Sequence, residues 1–319
     1  MKFILIGAVE STRVALDVMI DKGFKPLLIT LPVSHSYIHS DFVDLRDICR
    51  LSNIEVIETT NINAIDTIQI IKEYNPDYIF VIGWSQIIKK EILETPKRGI
   101  IGYHPSPLPK NRGRGVIPWT ILQKNKETGS TLFWIDEGID SGDILLQKVF
   151  PVEYNETAKT LYMKHMKVLR ELLIEALGLI EDGNPPRIPQ DHSKTTYCAK
   201  RTPEDGLINW DLPAEEIWTL IRAVTEPYPG AFTYYKDKKL IIWEAVYIGD
   251  APYWGLPGQI QQLSSSGALV TCGDGKVLLI KTIQLEGGQK TSPQDIFKIH
   301  DKLGIDWLKL YQKYIREEK

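Results

Sequence analysis

Phe3-Ile4-Leu5-Ile6-Gly7-Ala8-Val9-Glu10-Ser11-Thr12 is the stretch that decides the fold. Its opening apolar run is too short for a helix and ends at a glycine, so it reads as a strand buried on both faces. The apolar positions three and four apart from Ser11 to Lys22 then predict a helix packed back on that strand. The turn between them lacks the G-x-G-x-x-G spacing that admits a pyrophosphate to the backbone, and Glu10 would repel one, which disfavours a dinucleotide. There is no G-x-x-x-x-G-K-[ST] loop for a nucleoside triphosphate either.

The same alternation continues to about residue 150. Strands are expected at Phe3 to Ala8, Pro26 to Leu31, Ile54 to Ile57, Tyr78 to Ile82 and Gly99 to Gly102. Helical patterns lie between them at Asp44 to Leu51, Ile65 to Tyr74 and Gln86 to Glu94. This is the rhythm of an α/β domain with a parallel sheet, whose ligands sit beyond the carboxyl ends of the strands, here the loops starting near Val9, Gly83 and Gly102. Two more strands, Thr131 to Ile135 and Ile144 to Val152, and an amphipathic helix from about Glu156 to Glu181 complete the unit.

The chain has 319 residues, about twice the usual domain size, so two domains are expected. Asp182-Gly183-Asn184-Pro185-Pro186-Arg187-Ile188-Pro189-Gln190 cannot continue a helix and reads as the link. The expected division is residues 1–183, a linker over 184–200, and 201–319. The last part carries one helix (Pro213 to Val224) and five short strands near Ala231, Leu240, Gly258, Ala268 and Val277, the pattern of a small β-barrel-like domain.

With 38 basic against 41 acidic residues the net charge is −3, which gives no global attraction for phosphate backbones. Residues 200–319 hold 15 Lys and Arg against 16 Asp and Glu. Three scattered cysteines, Cys49, Cys198 and Cys272, make neither a zinc knuckle nor a disulfide framework, and no apolar run reaches the roughly 20 residues needed to span a bilayer. The expectation is a cytoplasmic protein with no membrane partner; homo-oligomerisation stays open.

Two segments carry chemistry. In Gly102-Tyr103-His104-Pro105-Ser106-Pro107-Leu108-Pro109-Lys110-Asn111-Arg112-Gly113-Arg114, three prolines hold the chain extended and mount His104 at the sheet edge. In Asp136-Glu137-Gly138-Ile139-Asp140-Ser141-Gly142-Asp143, four carboxylates in eight residues call for a cation or an imidazole nearby. A calcium loop is disfavoured because EF-hand spacing is absent. His35 and His39, four apart, lack a third metal ligand and read as surface loop.

Taken together, His104-Pro105-Ser106-x-Leu108-Pro109 and, 36 residues later, Asp140 in D-x-G-x-D-S-G-D resemble the signature of the formyltransferases that use 10-formyltetrahydrofolate. Arg201-Thr202-Pro203-Glu204-Asp205-Gly206 and Pro227-Tyr228-Pro229-Gly230-Ala231-Phe232 are similar to that family's C-terminal domain. The resemblance implies a Rossmann-like catalytic domain, a C-terminal β-barrel, 10-formyltetrahydrofolate as co-substrate and no metal. It implies His104 and Asp140 as the catalytic pair. Trp84, Ser85, Gln86, Ile87 and Ile88, with Asp136, Gly138 and Ile139, would form the folate site.

The family pattern has an asparagine two residues before the histidine, and this chain has Gly102 there. One donor to the developing oxyanion is missing, by analogy a loss of roughly 10²–10³ in rate. That departure makes folate hydrolysis an alternative, as in the hydrolase domain of 10-formyltetrahydrofolate dehydrogenase, and leaves a degenerate folate binder as another. For the acceptor, Glu10, Ser11, Ser106, Arg112 and Arg114 are the candidate contacts. The two arginines suit an anionic small-molecule amine, in the first place a nucleotide-linked amino sugar. The acidic balance argues against methionyl-tRNA, although transfer to methionyl-tRNA stays a further alternative within the family.

Overall fold

The computed structural model describes residues 1–38, 40–305 and 315, and it divides the chain into two compact units. The first comprises Met1–Thr120, Lys124–Tyr154 and Thr160–Lys200, and the second Ile121–Gln123, Asn155–Lys159 and Arg201–Lys319. His39, 306–314 and 316–319 lie outside the described residues.

Up to residue 93 the chain alternates β1 (Phe3–Ile6), α1 (Glu10–Asp21), β2 (Leu27–Thr30), α2 (Arg46–Leu51), β3 (Val56–Glu58), α3 (Ile65–Tyr74), β4 (Tyr78–Val81) and α4 (Lys90–Leu93). It continues with β5 (Gly99–His104), β6 (Arg112–Gly113), α5 (Val116–Leu122), β7 (Glu127–Trp134), β8 (Ile144–Pro151), α6 (Ala158–Glu181) and β9 (Tyr197–Cys198). Seven strands make one sheet in the order β3-β2-β1-β4-β5-β7-β8. The first five run parallel, while β7 and β8 are antiparallel to their neighbours.

The period of two in a strand explains why β1 and β4 are apolar throughout. Phe3, Leu5, Tyr78 and Phe80 enter one core with Leu16 and Met19 of α1 and Leu169 and Leu173 of α6. Ile4, Ile6, Ile79 and Val81 enter the opposite core with Ile71 of α3 and Ile92 of α4. Each such side chain contributes about 1.5–3 kcal/mol when fully buried.

Two expectations shift. The fifth strand does not stop at Gly102: Tyr103 and His104 pair with Leu132 and Thr131 of β7, so His104 is the last residue of a strand rather than the first of a loop. The helix expected from Gln86 shrinks to α4, because the Gln86 side chain is spent on the backbone of Ile62 and Thr60 and holds residues 83–89 irregular.

The second unit carries α7 (Ala214–Val224), β10 (Ala231–Tyr235), β11 (Lys238–Gly249), β12 (Ile260–Ser264), β13 (Gly267–Thr271), β14 (Val277–Leu285) and β15 (Lys290–Thr291). Its sheet is antiparallel, in the order β10-β11-β14-β13-β12 with β15 beside β14. Register shifts along β11 curl the long strand, as bulges do. No helix among the described residues is long and apolar enough to cross a membrane.

Candidate active site

The carboxyl ends of β1, β4 and β5 meet, as the parallel order requires. Ala8 N donates to Gly83 O (3.3 Å), and Thr12 Oγ1 accepts from Val9 N (3.1 Å) while donating to Ile82 O (2.6 Å). Glu10 therefore opens α1 beside the Gly83 turn, where its charge favours the helix N-terminus. Ser11 is buried against that turn.

His104 and Asp140 are brought together. His104 is 5% exposed, and its Nδ1 lies 3.7 Å from Asp140 Oδ2, longer than a hydrogen bond and an ion pair only once the ring is protonated. Its other nitrogen is committed: Nε2 lies 2.7 Å from the carbonyl oxygen of Asn111. A carbonyl only accepts, so Nε2 carries the hydrogen and Nδ1 is the ring atom left to take up a proton. Asp140 sits in the left-handed region at φ 50°, a conformation that aspartate tolerates better than most residues, and its Oδ2 accepts from Gly113 N at 2.8 Å. A proton gained at Nδ1 thus makes an imidazolium facing a carboxylate.

The remaining candidates fall into two groups. Ile87 and Ile139 are 76% and 60% exposed apolar residues on the 83–88 and 136–140 loops, and Arg114, also exposed, donates to Ser85 O, tying the first of these loops to the His104 segment. Trp84 is half-buried, with its indole Nε1 buried and without a partner among the described residues. Others hold the loops themselves. Ile88 packs in the core. Asp136 Oδ1 accepts from Gly138 N (3.0 Å) and Ser141 Oγ (2.7 Å). Ser106 is fully buried, with Oγ donating to Lys110 O at 2.8 Å. Arg112 is also turned inward, 3% exposed, with Nη2 donating to Gln190 Oε1 (2.6 Å) and His192 Nδ1 (3.1 Å), not directed at an acceptor.

Gly102 acquires a reason. A Cβ there would lie 2.9 Å from the Phe133 ring and from Ile135 Cγ1, so apolar groups fill the space beside that position. Among the described residues no group of His, Cys, Asp and Glu is placed to hold a metal, and His39 lies outside them. Sequence reasoning missed Asn111 as the partner of the ring and Gln190 altogether. Asn111 was inside the quoted motif, and its left-handed backbone (φ 57°) is a role asparagine often takes. Gln190 carried no signal.

The chain matches the family models "Formyl transferase" over residues 50–177 and "Formyl transferase, C-terminal domain" over residues 200–301. It is 34% identical over 298 residues to the methionyl-tRNA formyltransferase of Alkaliphilus oremlandii, covering 92% of this chain and 95% of that one. Among solved structures, HypX from Aquifex aeolicus in complex with tetrahydrofolic acid superposes with a TM-score of 0.69 at 17% identity, covering 93% of this chain and 46% of that one. The sugar 3N-formyltransferase WlaRD superposes at 0.64 and 21%, covering 88% and 97%.

These findings overturn the expected acceptor. Curated relatives at 32–37% identity are methionyl-tRNA formyltransferases, whereas the sugar enzymes are distant and share the fold. Neither the amino-sugar preference nor the argument against tRNA stands. A domain-wide sum of charge averages over every surface and is blind to how lysines are grouped on one of them.

Proposed function

The chain belongs to the formyl transferase family, and from that membership we propose that it moves a formyl group from 10-formyltetrahydrofolate to the amine of methionyl-tRNA. The folate derivative supplies the carbon that the amine attacks. Ile87 and Ile139, exposed and apolar, would flank its ring system.

The attacking amine must lose a proton. His104 Nδ1 takes it, since Nε2 is occupied by Asn111, and Asp140 stabilises the imidazolium that results; as the bond from the formyl carbon to N10 breaks, Nδ1 passes the proton to N10 and tetrahydrofolate leaves. The same cation, beside the reacting carbon, opposes the charge that grows on the formyl oxygen. Gly102 contributes no side-chain amide, so Phe133 and Ile135 make that flank of the site apolar and help to exclude water. The one observation that carries the reading is the division of labour on the imidazole: one nitrogen anchored, the other facing a carboxylate.

The test is to incubate the full chain with 10-formyltetrahydrofolate, with and without methionyl-tRNA, and follow both tetrahydrofolate release and formylated product. Release that requires the aminoacyl-tRNA is the expected result. Release at an equal rate without any amine would replace transfer by hydrolysis, and the absence of product with methionyl-tRNA would remove this acceptor.

A further inference from the structure

The segment expected to be a free link folds onto the first unit as a strap. Ile188 exchanges two backbone hydrogen bonds with Ile144 (2.8 and 2.9 Å), the Arg187 guanidinium lies 3.6 Å over the Trp134 ring, and Trp134 Nε1 donates to Pro186 O at 2.9 Å. Further on, Thr196 and Cys198 bond the backbone of Asn111, Arg112 and Arg114. One stretch of chain therefore touches both segments that carry the His104–Asp140 pair.

At its centre is Gln190, 5% exposed. Its Oε1 accepts from Arg112 Nη2 at 2.6 Å, and its Nε2 donates to the carbonyl oxygens of Asp140 (2.9 Å) and Gly142 (2.6 Å). The amide can face only one way. A guanidinium has no acceptor and a carbonyl has no donor, so a flipped carboxamide would break all three bonds. The Asp140 turn is also braced from within, by Asp136 Oδ1, and by the backbone bond from Trp134 N to Asp143 O (2.8 Å). Asp140 is left-handed, and a Cβ on Gly142 would lie 1.8 Å from Trp134 O, which keeps this corner of the turn pressed against β7.

We propose that Gln190 is a positioning residue: clamped by Arg112, it holds the backbone of Asp140 and so sets how the carboxylate meets His104. The inference rests on the catalytic reading of Asp140 above. It also gives Arg112 its place in the site. The buried guanidinium spans from the His104 segment to the carboxamide that fixes the Asp140 turn, and the Asp140 side chain returns to that segment through Gly113 N.

The test compares Gln190→Glu, Gln190→Met, Asp140→Asn and the double variant Asp140→Asn with Gln190→Glu. Glutamate is isosteric and keeps the bond to Arg112, but it sets an oxygen against two carbonyls and pushes the turn away. Methionine is neutral and of similar length, and it removes both donors. A displacement of the order of 1 Å at a reacting group predicts a fall in kcat of about 10–100-fold for each Gln190 variant. KM for 10-formyltetrahydrofolate should rise by much less than kcat falls, because Ile139 moves with the turn while Trp84 and Ile87 hold the folate from a separate loop.

In the Asp140→Asn background, Gln190→Glu should add less than about twofold, the signature of a residue acting through Asp140. Near-normal kcat in both Gln190 variants, or losses that multiply in the double variant, would overturn the inference alone if Asp140→Asn is impaired. Near-normal kcat in Asp140→Asn would overturn the assignment of Asp140, and this inference with it. A loss in the Gln190 variants matched by an equal fall in folate affinity and in thermal midpoint would mean that the strap is merely structural.

Discussion

Behind the strand that ends in His104 lies a second imidazole that should make the protein sensitive to acid. His165 of α6 is completely buried, with Nδ1 2.9 Å from Ser130 Oγ, which in turn lies 3.1 Å from Tyr103 Oη; its Nε2 has no partner among the described residues. Burial, with a smaller contribution from the nearby charge of His104, pulls its pKa from the ordinary 6.5 down to about 3. The folded-state value is depressed, so protons prefer the unfolded chain. The neutral ring costs nothing above pH 6.5, and stability is lost as pH falls from there toward 3.

Each pH unit in that window favours unfolding by about 1.4 kcal/mol, so acidifying from pH 7 to pH 4 should cost about 3 kcal/mol through this one group. His165→Gln removes the titration and keeps a polar partner for Ser130. Denaturant titrations of both proteins at pH 7 and pH 4 cancel every other acid-labile group. Wild type should lose more stability than the variant by that amount, whereas parallel losses would refute the reasoning.

Other consequences can be checked more simply. His104→Gln and Asp140→Asn should each lower turnover by at least about 10²-fold while leaving folate binding within about twofold; retained turnover in a folate-release assay would overturn the pair. Gly102→Asn should not restore a missing donor. The new side chain meets Phe133 and Ile135, with an overpacking cost of about 1–3 kcal/mol, so both thermal midpoint and turnover should fall, and a faster enzyme would contradict this. Cys49 and Cys272 are buried, with their thiols pushed up to about 11 and about 12 mainly by desolvation. A thiol reagent at pH 8 should label these two only after unfolding; rapid labelling of both in the native protein would refute it.

Much of the fold was legible because burial on two faces leaves a plain mark: runs such as Phe3 to Ile6 and Tyr78 to Val81 cannot be placed except inside a covered sheet. The pair His104 and Asp140 was legible from chemistry concentrated in turns. What stayed hidden depends on contacts distant along the chain. Gln190 looked like punctuation in a Gly/Pro-rich segment, and only the folded chain brings it against a turn 50 residues earlier. Gly102 looked like a simple loss, because the Phe133 ring that fills its space comes from another strand. The acceptor was misread for a different reason: a sum of charges holds no information about arrangement.

The bond from His104 Nε2 to Asn111 leaves the ring with a single working side. An imidazole open at both nitrogens can pass a proton through, taking it on one face and delivering it to another. Here whatever arrives at Nδ1 must depart from Nδ1. The direction of traffic is thereby fixed: in the proposed transfer the proton taken from the amine cannot drain through the ring toward Asn111, and it leaves by the door it entered. Under the proposed transfer that exit is N10 of the departing folate, so the base is restored as the carbon–nitrogen bond breaks and no outside acceptor is needed to reset it.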